Sequence, residues 1–403
     1  MKILFVHQHF PGQFPKLVRH FAQQGEHEIV ALTSGQQNGQ SNARVSDVRY
    51  IHYAPETLEV ASNHVLRSTV EFAHNAYLCA RKAEELAKSG WVPDVIYAHT
   101  GWGPSAFLKE IFPSAKAIKY LEWYYNNVNG DSDFLARDRP LEGRIQTSLM
   151  NMPILLDCAQ ADLLVSPTEW QKSQFPSFLR ERIHVAPDGI DVDWLCPSAT
   201  ASFQLPNGRE LTGNDRVVTY ATRGADPYRG FEQFLQALAL AQAEDPHLES
   251  VILGDQKVHY GPGNGADRYF HDVMSRANFD PARTHVLGFV PYKNYRKLLQ
   301  ISAVHVYLTV PFVLSWSALE ALSCGCLLVA SDTPPVAEFV THGENGFLCD
   351  FFDARQLADT ILHARNADLD FSPMRANARQ TILERWSTAK AMERHTSLLN
   401  GIM

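Results

Sequence analysis

A length of 403 residues is too great for one ordinary hydrophobic core and predicts two domains. An apolar content of 45% with 20% charged residues is typical of a globular chain, neither disordered nor membrane-spanning. The net charge of −8 leaves no electrostatic basis for nucleic acid as a main partner.

Cysteine usage and the N-terminus indicate a cytoplasmic location. The six cysteines have no Cys-x-x-Cys spacing and are interpreted as buried free thiols in a reducing compartment. The opening segment MKILFVHQHF contains an apolar run too short for a signal peptide. No run of about 18 apolar residues occurs, which argues against a membrane-spanning helix.

The first part of the chain alternates between apolar strand patterns and amphipathic helix patterns. A strand at 2–6 leads into a loop at 7–13, and Gly103-Pro104 is expected to open a helix. The other predicted strands and helices of this part are at 14–24 (helix), 27–33 (strand), 61–89 (helix), 94–98 (strand), 116–121 (strand), 140–160 (helix) and 162–166 (strand). Such alternation implies a parallel sheet covered on both faces.

A break near residue 186 separates this pattern from a second one. Pro187 and Gly189 interrupt the alternation, and a polar insert at 198–214 follows. The next predicted elements are at 216–221 (strand), 230–243 (helix), 250–254 (strand), 285–287 (strand), 293–300 (helix) and 377–400 (a last helix). We therefore predict domains at 1–185 and 186–380, with 381–403 crossing back to the first domain. Two doubly wound α/β domains predict a ligand cleft between them, at the carboxyl ends of the strands.

The stretch from 303 to 350 has the pattern of a ligand-binding strand–loop–helix unit. Ser317 and Glu320 have the spacing of a capping box at a helix start, and Gly325 would end that helix. A helix N-terminus after a strand favours an anionic ligand, to which Ser315 and Ser317 can add hydroxyl donors. The alternative is that Ser317 and Glu320 only cap the helix.

Arg223 and Arg229 flank the loop after the first strand of the second domain. Two guanidinium groups there suit a diphosphate, which needs charge neutralisation and forked donors. The alternative is two solvated loop arginines.

Taken together, these segments resemble the family-four retaining glycosyltransferases of the GT-B fold. The run VHVYLTVPFVLSWSALEA at 304–321 resembles one bacterial subgroup especially closely. The resemblance covers nearly the whole chain through DVIYAH at 94–99, APDGID at 186–191, the Arg223/Arg229 loop, LGF at 287–289, LEALSCG at 319–325, VASD at 329–332 and EFVTHGENG at 338–346. It implies two Rossmann-like parallel-sheet domains that face a central cleft.

The resemblance also assigns donor-side roles. Arg223 matches the family's diphosphate-binding arginine, and Arg229 stands where lysine is usual. Glu320 matches the second glutamate of a Glu-x7-Glu motif, which binds the ribose. The first glutamate is replaced by Phe312, which is either an apolar floor for the donor sugar or a core residue.

Two further donor-side segments follow from the resemblance. The loop of Gly288, Phe289 and Val290 corresponds to the one whose backbone holds the nucleobase, although an ordinary strand-to-helix turn explains it too. Thr333 with Pro334 and Pro335 replaces a common glycine pair, so some backbone N–H contacts to the donor are lost.

On the acceptor side, Glu122 stands where the family has a histidine at a strand end, and His99 ends the preceding strand. Either is a candidate to orient or deprotonate an acceptor hydroxyl, and either could be purely structural. The loop at 7–13 is expected to face the acceptor, where Gly12 would allow close approach. A glycine after proline in a turn explains Gly12 equally well.

No metal and no other cofactor is expected. The Asp-x-Asp patterns beginning at Asp131 and Asp191 are interpreted as turn residues, and no His/Cys group has zinc spacing. We predict that arginines and a helix dipole neutralise the leaving diphosphate instead.

The leading hypothesis is a metal-independent, hexosyltransferase-like enzyme. It would move a sugar from a nucleotide-diphosphate donor to a hydroxyl of a glycan, a lipid-linked molecule or another acceptor in bacterial glycan or glycoconjugate biosynthesis. Membrane-bound acceptors are common among bacterial relatives, so contact with the inner face of the membrane is compatible with this hypothesis.

The alternatives are a nucleotide-sugar epimerase of the same fold and a non-catalytic nucleotide-sugar-binding subunit. A nicotinamide dehydrogenase is disfavoured, because no Gly-x-Gly-x-x-Gly follows the first strand of either domain.

Overall fold

Two parallel β-sheets, one in each of two compact units, organise the protein. The computed structural model describes residues 1–35, 45–53, 65–136, 138–263 and 265–403. The first unit, called unit 1, comprises Met1–Gly189 and Thr388–Met403, and unit 2 comprises Ile190–Ser387. Where the sequence prediction put boundaries after 185 and 380, the structure divides the chain after Gly189 and after Ser387.

The sheet of unit 1 is parallel throughout and has the order β3-β2-β1-β4-β5-β6-β7. Its strands are β1 (Lys2–Val6), β2 (Glu28–Thr33), β3 (Val48–His52), β4 (Val95–His99), β5 (Lys116–Tyr120), β6 (Leu163–Ser166) and β7 (Ile183–Val185). Strand order reverses between β1 and β4, which makes their carboxyl ends the topological switch point of this sheet.

Unit 2 repeats this design after a short antiparallel pair, β8 (Ser202–Gln204) with β9 (Glu210–Thr212). Its main sheet has the order β12-β11-β10-β13-β14-β15 and is also parallel. The strands are β10 (Val218–Gly224), β11 (Ser250–Asp255), β12 (Thr284–Gly288), β13 (Val304–Tyr307), β14 (Leu327–Ser331) and β15 (Phe347–Cys349). Here the switch point lies between β10 and β13.

Helices connect the strands in both units. In chain order they are α1 (Pro15–Gln23), α2 (Arg67–Lys88), α3 (Leu108–Ile111), α4 (Asp131–Phe134), α5 (Leu141–Leu149), α6 (Met152–Ala159), α7 (Glu169–Ser173), α8 (Ser177–Arg180), α9 (Phe231–Glu244), α10 (Arg268–Arg276), α11 (Tyr292–Ile301), α12 (Trp316–Ser323), α13 (Pro334–Ala337), α14 (Ala354–Arg365), α15 (Ser372–Arg385) and α16 (Thr388–Asn400). Part of the helix predicted at 61–89 lies outside the described residues.

The long helix predicted at 377–400 is wrong, because it is two helices, α15 and α16. The break has a backbone cause: the Ile190 N–H donates to the Trp386 carbonyl at 2.7 Å, and Ile190 also forms a bridge with Ser387. Beyond the break, Ala391 and Met392 of α16 join the hydrophobic core of unit 1.

Two other predicted helices also differ. The pattern at 140–160 forms α5 and α6 in place of one helix, and the Gly103-Pro104 pair opens no regular helix. Gly103 has a φ of +75°, which lies outside the right-handed helical region, so only the four residues of α3 follow as a helix.

Complete burial of the central strands explains their continuous apolar sequences. Every residue of β4 and of β14 is buried, as expected for parallel strands covered on both faces. All six cysteines are free; five are buried, which confirms the interpretation as core thiols for these five, and Cys196 is partly exposed. In the part of the chain that the structure describes, no helix has the length and apolar character needed to cross a bilayer.

Candidate functional site

The switch point of unit 2 brings together the predicted donor-side residues. β10 pairs directly with β13, so the loops that follow the two strands leave the sheet side by side. Arg223 lies at the end of β10, and Arg229 ends a short 3-10 turn just beyond it. The chain after β13 carries Phe312 and then Ser315 at the start of α12.

The Arg229 side chain is buried at this switch point, and only 5% of the residue is exposed. Its Nη1 donates to the Tyr307 hydroxyl at 2.9 Å and to the Thr309 hydroxyl at 2.6 Å, and its Nη2 donates to the Val313 carbonyl at 3.1 Å. The Tyr307 hydroxyl also accepts the Ser315 N–H at 3.0 Å. The guanidinium therefore fixes the segment that leads into α12.

Arg223, by contrast, is exposed and is oriented by a neighbouring loop. Its Nη1 lies 3.4 Å from the Tyr260 hydroxyl. The backbone N–H groups of His259 and Tyr260 both donate to one oxygen of buried Asp226, at 2.6 and 2.9 Å. Burial raises the pKa of Asp226, and the two N–H donors oppose that shift. The Asp226 carboxyl thus anchors the loop that holds the Arg223 guanidinium.

Phe312, which replaces the family's first glutamate, is part of an aromatic group around Arg229. Its ring centroid lies 5.4 Å from that of Tyr228 and 5.6 Å from that of Tyr260. The central carbon of the Arg229 guanidinium is 5.9 Å from the Phe312 ring centroid and 5.9 Å from that of Tyr260. An aromatic face therefore lies beside this cation.

The capping-box prediction at the start of α12 is wrong by two residues. The N-cap is Ser315, whose hydroxyl accepts the Ser317 N–H at 3.4 Å, and the two hydroxyls are 2.9 Å apart. Glu320 lies one turn into the helix, too far along to close a box with Ser315. Gly325, with a φ of +75°, follows the C-cap Cys324 as predicted.

Glu320 is 7% exposed and accepts a hydrogen bond from the Tyr292 phenol. Burial and the Glu320 charge raise the pKa of Tyr292. The Tyr292 ring stacks between Trp194, at 4.7 Å between centroids, and Tyr295, at 5.7 Å. The Arg296 guanidinium covers Trp194 at 4.7 Å. This stack sets the position of the phenol on Glu320.

The predicted nucleobase loop leads directly to that phenol. Gly288 ends β12 with a φ of +67°, Phe289 is exposed, and Val290 packs against the core. Tyr292 begins α11 two residues later. The predicted base and ribose sites are therefore joined through the Tyr292–Glu320 hydrogen bond.

Thr333 is buried, and its hydroxyl donates to the Thr309 carbonyl at 3.2 Å. Because the Thr309 hydroxyl accepts from Arg229, Thr333 belongs to the same polar cluster. Pro334 and Pro335 occupy the first positions of α13, where they offer no N–H.

In unit 1, the switch point carries a different set of groups. His7 follows β1, His99 ends β4, and Glu122 follows β5. His7 Nε2 is 2.7 Å from the Gln13 side-chain oxygen, and the Gln13 amide donates to Glu122 Oε1 at 2.6 Å. His99 Nε2 lies 3.3 Å from Glu122 Oε2. Glu122 and His99 are thus brought together as neighbours.

Backbone N–H groups fix the tautomers of both imidazoles. The His9 N–H donates to His7 Nδ1 at 2.9 Å, and the Gly101 N–H donates to His99 Nδ1 at 3.0 Å. With Nδ1 occupied as an acceptor, the proton of each ring lies on Nε2. Burial, followed by the charge of His99, holds the pKa of His7 well below its ordinary value.

Gly12 allows a close approach, and the group that approaches is His7. A Cβ at Gly12 would lie 2.2 Å from His7 Nε2, and the φ of Gly12 is +50°. No side chain fits there without moving the imidazole. The structure therefore links Gly12 to the placement of His7.

The residues matched by known glycosyltransferase families extend over most of the chain. The sequence matches the family described as "Glycosyl transferase family 4 group" over residues 25–195 and "Glycosyl transferases group 1" over residues 205–381. The chain belongs to the family-four, GT-B glycosyltransferases. This confirms the resemblance seen in the sequence.

Relatives of this glycosyltransferase include the D-inositol 3-phosphate glycosyltransferase of Mycolicibacterium smegmatis. That protein is 27% identical over 215 residues, which cover 50% of this chain and 45% of the relative. The match therefore spans less than half of the relative's length.

Solved structures support the same fold. Anabaena HepE, determined with UDP and glucose, has a TM-score of 0.73 at 16% identity, with 100% of each chain covered. Sucrose-phosphate synthase of Thermosynechococcus elongatus also gives 0.73, at 14% identity, covering 100% of this chain and 99% of that one. The two doubly wound sheets are those of the GT-B fold, as predicted from the sequence.

The Asp-x-Asp pattern beginning at Asp131 forms the short helix α4 in place of the predicted turn, whereas the one beginning at Asp191 leads into a turn. Asp133 accepts the backbone N–H groups of Asn129 and Gly130, and Asp191 accepts that of Trp194. Across the described ranges, no group of three or more His, Cys, Asp or Glu side chains is arranged to hold a metal ion.

Sequence reasoning did not single out Gln13, Tyr260 or Tyr292. Gln13 had a signal, since it lies in the polar loop directly after β1, where ligands of doubly wound sheets bind. The two tyrosines had none, because their roles depend on loops that approach Arg223 and Glu320 from distant parts of the sequence.

Proposed function

We propose that this glycosyltransferase is a retaining enzyme that transfers a sugar from a nucleotide-diphosphate donor to an acceptor hydroxyl. The observation that carries the proposal is the switch point of unit 2. There an exposed guanidinium ends β10, and a serine-capped helix that carries a buried carboxylate follows the neighbouring strand β13. A nucleoside diphosphate needs these three kinds of group.

The diphosphate would contact the Arg223 guanidinium and the N-terminus of α12. Charge-assisted donors and the positive end of the helix dipole both favour a phosphate. Ser315 and Ser317 add hydroxyls at this point. Arg229 contributes a buried positive charge and holds the α12 entry in place, so its part is mainly one of positioning.

The nucleoside would extend toward Glu320 and the loop of Gly288, Phe289 and Val290. The Tyr292 phenol occupies one oxygen of the Glu320 carboxylate and orients it. A carboxylate oxygen can accept more than one hydrogen bond, so Glu320 is proposed to accept ribose hydroxyls as well. Phe312 would give the donor sugar an aromatic neighbour, where relatives offer a charged one.

On the acceptor side, Glu122 and His99 are the proposed groups that orient the reacting hydroxyl. The transferred sugar would retain its anomeric configuration because the acceptor hydroxyl attacks the same face of the sugar that the diphosphate leaves. The leaving phosphate would take the proton of that hydroxyl. The new glycosidic bond forms as the bond to the phosphate oxygen breaks. Arginine and helix-dipole stabilisation of that leaving group lets the reaction proceed without a metal ion.

The acceptor is proposed to be a hydroxyl of a glycan, a lipid-linked molecule or another glycoconjugate in a bacterial cell. The enzyme would act in the cytoplasm, where nucleotide sugars are made, and would meet lipid-linked acceptors at the inner face of the membrane.

The direct test is a donor screen by mass spectrometry. UDP-, GDP-, ADP- and TDP-sugars are incubated with the protein and an extract of candidate acceptors, with and without EDTA. We expect release of one nucleoside diphosphate and an acceptor heavier by one sugar, with EDTA having no effect. Absence of transfer from every donor contradicts the proposal, and loss of transfer in EDTA contradicts metal independence.

Two other activities remain testable in the same screen. Phe312 in place of a catalytic-site glutamate favours a non-catalytic binding subunit, which would bind a nucleotide sugar tightly without turnover. An epimerase would convert the donor sugar when no acceptor is present.

A further inference from the structure

We infer that Trp194 and Arg296 are positioning residues of the donor site, which hold the Tyr292 phenol against Glu320 and thereby strengthen binding of a ribonucleotide over a deoxyribonucleotide. This inference deepens the proposed function and rests on it, because Glu320 is there the proposed ribose-binding group. It adds to the donor site residues 191–195, the segment by which the chain enters unit 2, here called the entry segment.

Two side chains of α11 hold Trp194. Tyr292 and Arg296 lie one turn apart on that helix and share a face. The Tyr292 ring stacks on the Trp194 indole with centroids 4.7 Å apart and planes 26° apart, and the central carbon of the Arg296 guanidinium is 4.7 Å from the same indole centroid. Arg296 Nη1 also donates to the Trp194 carbonyl at 3.3 Å. Arg296 therefore fixes both the ring and the backbone of Trp194 on α11.

Hydrogen bonds also fix the entry segment to α12. The Trp194 N–H donates to Asp191 within the segment at 3.1 Å. The Leu195 carbonyl accepts the hydroxyl of Ser323, the last residue of α12, at 2.5 Å. Arg379 Nη1 donates to the Leu195 carbonyl at 3.2 Å and to the Ser323 carbonyl at 2.6 Å. The entry segment thus connects α11, through Trp194, to the end of α12.

The bond between Tyr292 and Glu320 connects the same two helices directly. Tyr292 begins α11, and Glu320 lies in α12. Burial, followed by the charge of Glu320, raises the pKa of Tyr292 and also that of Tyr295. A phenol with a raised pKa stays protonated near neutral pH, so Tyr292 is the donor of this bond and Glu320 the acceptor.

Tyr292 depends on its aromatic neighbours for its orientation. The residue is 53% exposed, so the core does not enclose its ring. The stacks on Trp194 and Tyr295 restrict the ring to one rotamer, which directs the phenol toward Glu320. Without Arg296 the indole loses its cation and its carbonyl bond, and the phenol becomes free to turn away from the carboxylate.

The consequence is specific to the ribose. A carboxylate that is no longer oriented binds a hydroxyl less well, whereas the diphosphate contacts at Arg223 and the start of α12 do not depend on the phenol. A 2′-deoxy nucleotide has one hydroxyl fewer for Glu320 to bind. Loss of positioning should therefore weaken the ribonucleotide more than its deoxy analogue.

The test uses nucleotide pairs that differ by one hydroxyl. UDP, GDP and ADP, each with its 2′-deoxy analogue, are titrated by calorimetry into the wild type, Arg296→Met, Arg296→Lys and Trp194→Leu. The matched control is Arg385→Met. The Arg385 guanidinium carbon is 5.9 Å from the Trp386 ring centroid, and its Nη1 donates to the Glu338 carbonyl at 3.3 Å. Arg385 thus makes the same two kinds of contact as Arg296, on a tryptophan outside the stack.

We expect the wild type to bind at least one ribonucleotide about fivefold more tightly than its deoxy analogue. Arg296→Met should lower the ribonucleotide affinity about threefold and bring the preference below about twofold, and Trp194→Leu should do at least as much. Arg296→Lys should recover part of the preference, since an ammonium group keeps the charge beside the indole. Arg385→Met should retain the full preference.

A double-variant cycle tests whether Arg296 acts through the phenol. Tyr292→Phe keeps the aromatic stack and removes the hydroxyl, so the orientation of the ring no longer affects Glu320. Arg296→Met should then cause no further loss of ribonucleotide affinity in the Tyr292→Phe background. Additive losses would overturn the inference.

The inference is also overturned if Arg296→Met and Trp194→Leu keep the wild-type preference, or if both nucleotides of a pair lose affinity equally, as a general loss of structure would cause. A wild type that binds none of the nucleoside diphosphates contradicts the proposed function, and the inference with it. A wild type that prefers the ribonucleotide, with the same preference in both variants, refutes only the positioning role of Trp194 and Arg296.

Discussion

The two switch points have the same backbone design and opposite chemistry. In unit 2, the ends of β10 and β13 carry two guanidinium groups and a helix N-terminus. In unit 1, the ends of β1 and β4 carry two imidazoles beside the Glu122 carboxylate: His7 is linked to it through the Gln13 amide, and His99 lies directly against it. The doubly wound sheet thus supplies only a place for a ligand, and the side chains at the strand ends determine the chemistry of that place.

The two sites also differ in what lies behind the accessible group. Near Arg223 lies a buried cation, Arg229. Its guanidinium donates hydrogen bonds to neutral oxygens of Tyr307, Thr309 and Val313. Glu122 is backed by histidines whose tautomers are fixed by backbone N–H groups. Four predictions test this contrast.

The largest effect is expected for Arg229→Met. Methionine removes the donors to Tyr307, Thr309 and Val313 and leaves their buried oxygens without those bonds, which costs about 3 kcal/mol of unfolding free energy. Urea unfolding measures this loss. Arg223→Met, at an exposed position, is the control and should stay within about 0.5 kcal/mol of the wild type. Equal stabilities of the two variants would refute the positioning role of Arg229.

The second prediction concerns the stability of the two units as the pH falls. Burial lowers the pKa of His395 in unit 1 and of His305 in unit 2 to about 4, and that of His7 in unit 1 well below its usual value. Each folded histidine binds its proton less readily than the unfolded one. Its stabilising contribution is therefore complete above about pH 6.5 and falls by about 2 kcal/mol by pH 5.

Among the described residues, Asp157 in unit 1 and Asp226 in unit 2 are carboxyls whose pKa burial raises, and they act with the opposite sign. Because unit 1 holds two of these three histidines, unit 1 should lose more protection than unit 2. Hydrogen exchange followed by mass spectrometry at pH 7 and pH 5 measures this difference. Greater acid sensitivity of unit 2 would contradict the prediction.

The third prediction is that Arg223→Ala weakens binding of UDP or GDP by about tenfold to a hundredfold, because a charge-assisted contact to phosphate is lost. Titration calorimetry at two salt concentrations measures it, and the variant should show a smaller salt dependence than the wild type. Arg223→Lys should recover part of the affinity, since it restores charge without the forked donors. Unchanged affinity in Arg223→Ala would remove this residue from the donor site.

The smallest effect is expected for Tyr292→Phe, which keeps the aromatic stack and removes one hydrogen bond to Glu320. We expect about a fivefold loss of affinity for a ribonucleoside diphosphate. The 2′-deoxy nucleotide is the control, because it lacks one hydroxyl for Glu320 to bind and should lose less. Glu320→Ala should cause a larger loss, of about tenfold. Equal losses for both nucleotides in Tyr292→Phe would argue against the ribose role.

Much of the fold was predictable because its signals are local. Apolar strands such as β14 and the alternation of strands with helices indicate a covered parallel sheet from the sequence alone. The wrong predictions concern segments whose structure depends on backbone groups that are distant in the sequence. The Ile190 N–H ends the helix at Trp386, and the sequence near 377–400 contains no comparable stop.

The residues of the candidate site were predictable where they lie at strand ends, and less so where their partners come from another loop. Arg223, Glu122 and His99 occupy positions where doubly wound sheets bind ligands, so their placement there follows from topology. Spacing alone misplaced the cap of α12, because Ser315 and Ser317 both precede an apolar run. The partners of Arg223 and Glu320, Tyr260 and Tyr292, could not be found from spacing, since each meets its partner only through tertiary contact.

The break between α15 and α16 makes unit 2 an insertion within unit 1. Ile190 and Ser387, the first and last residues of unit 2, form a β-bridge, so its two ends are adjacent. Likewise, Gly189 and Thr388 of unit 1 are in contact. Domains with adjacent ends tolerate excision and circular permutation. Residues 190–387 can therefore be produced as a single continuous fragment, whereas unit 1 needs its last sixteen residues, Thr388–Met403, joined back after Gly189.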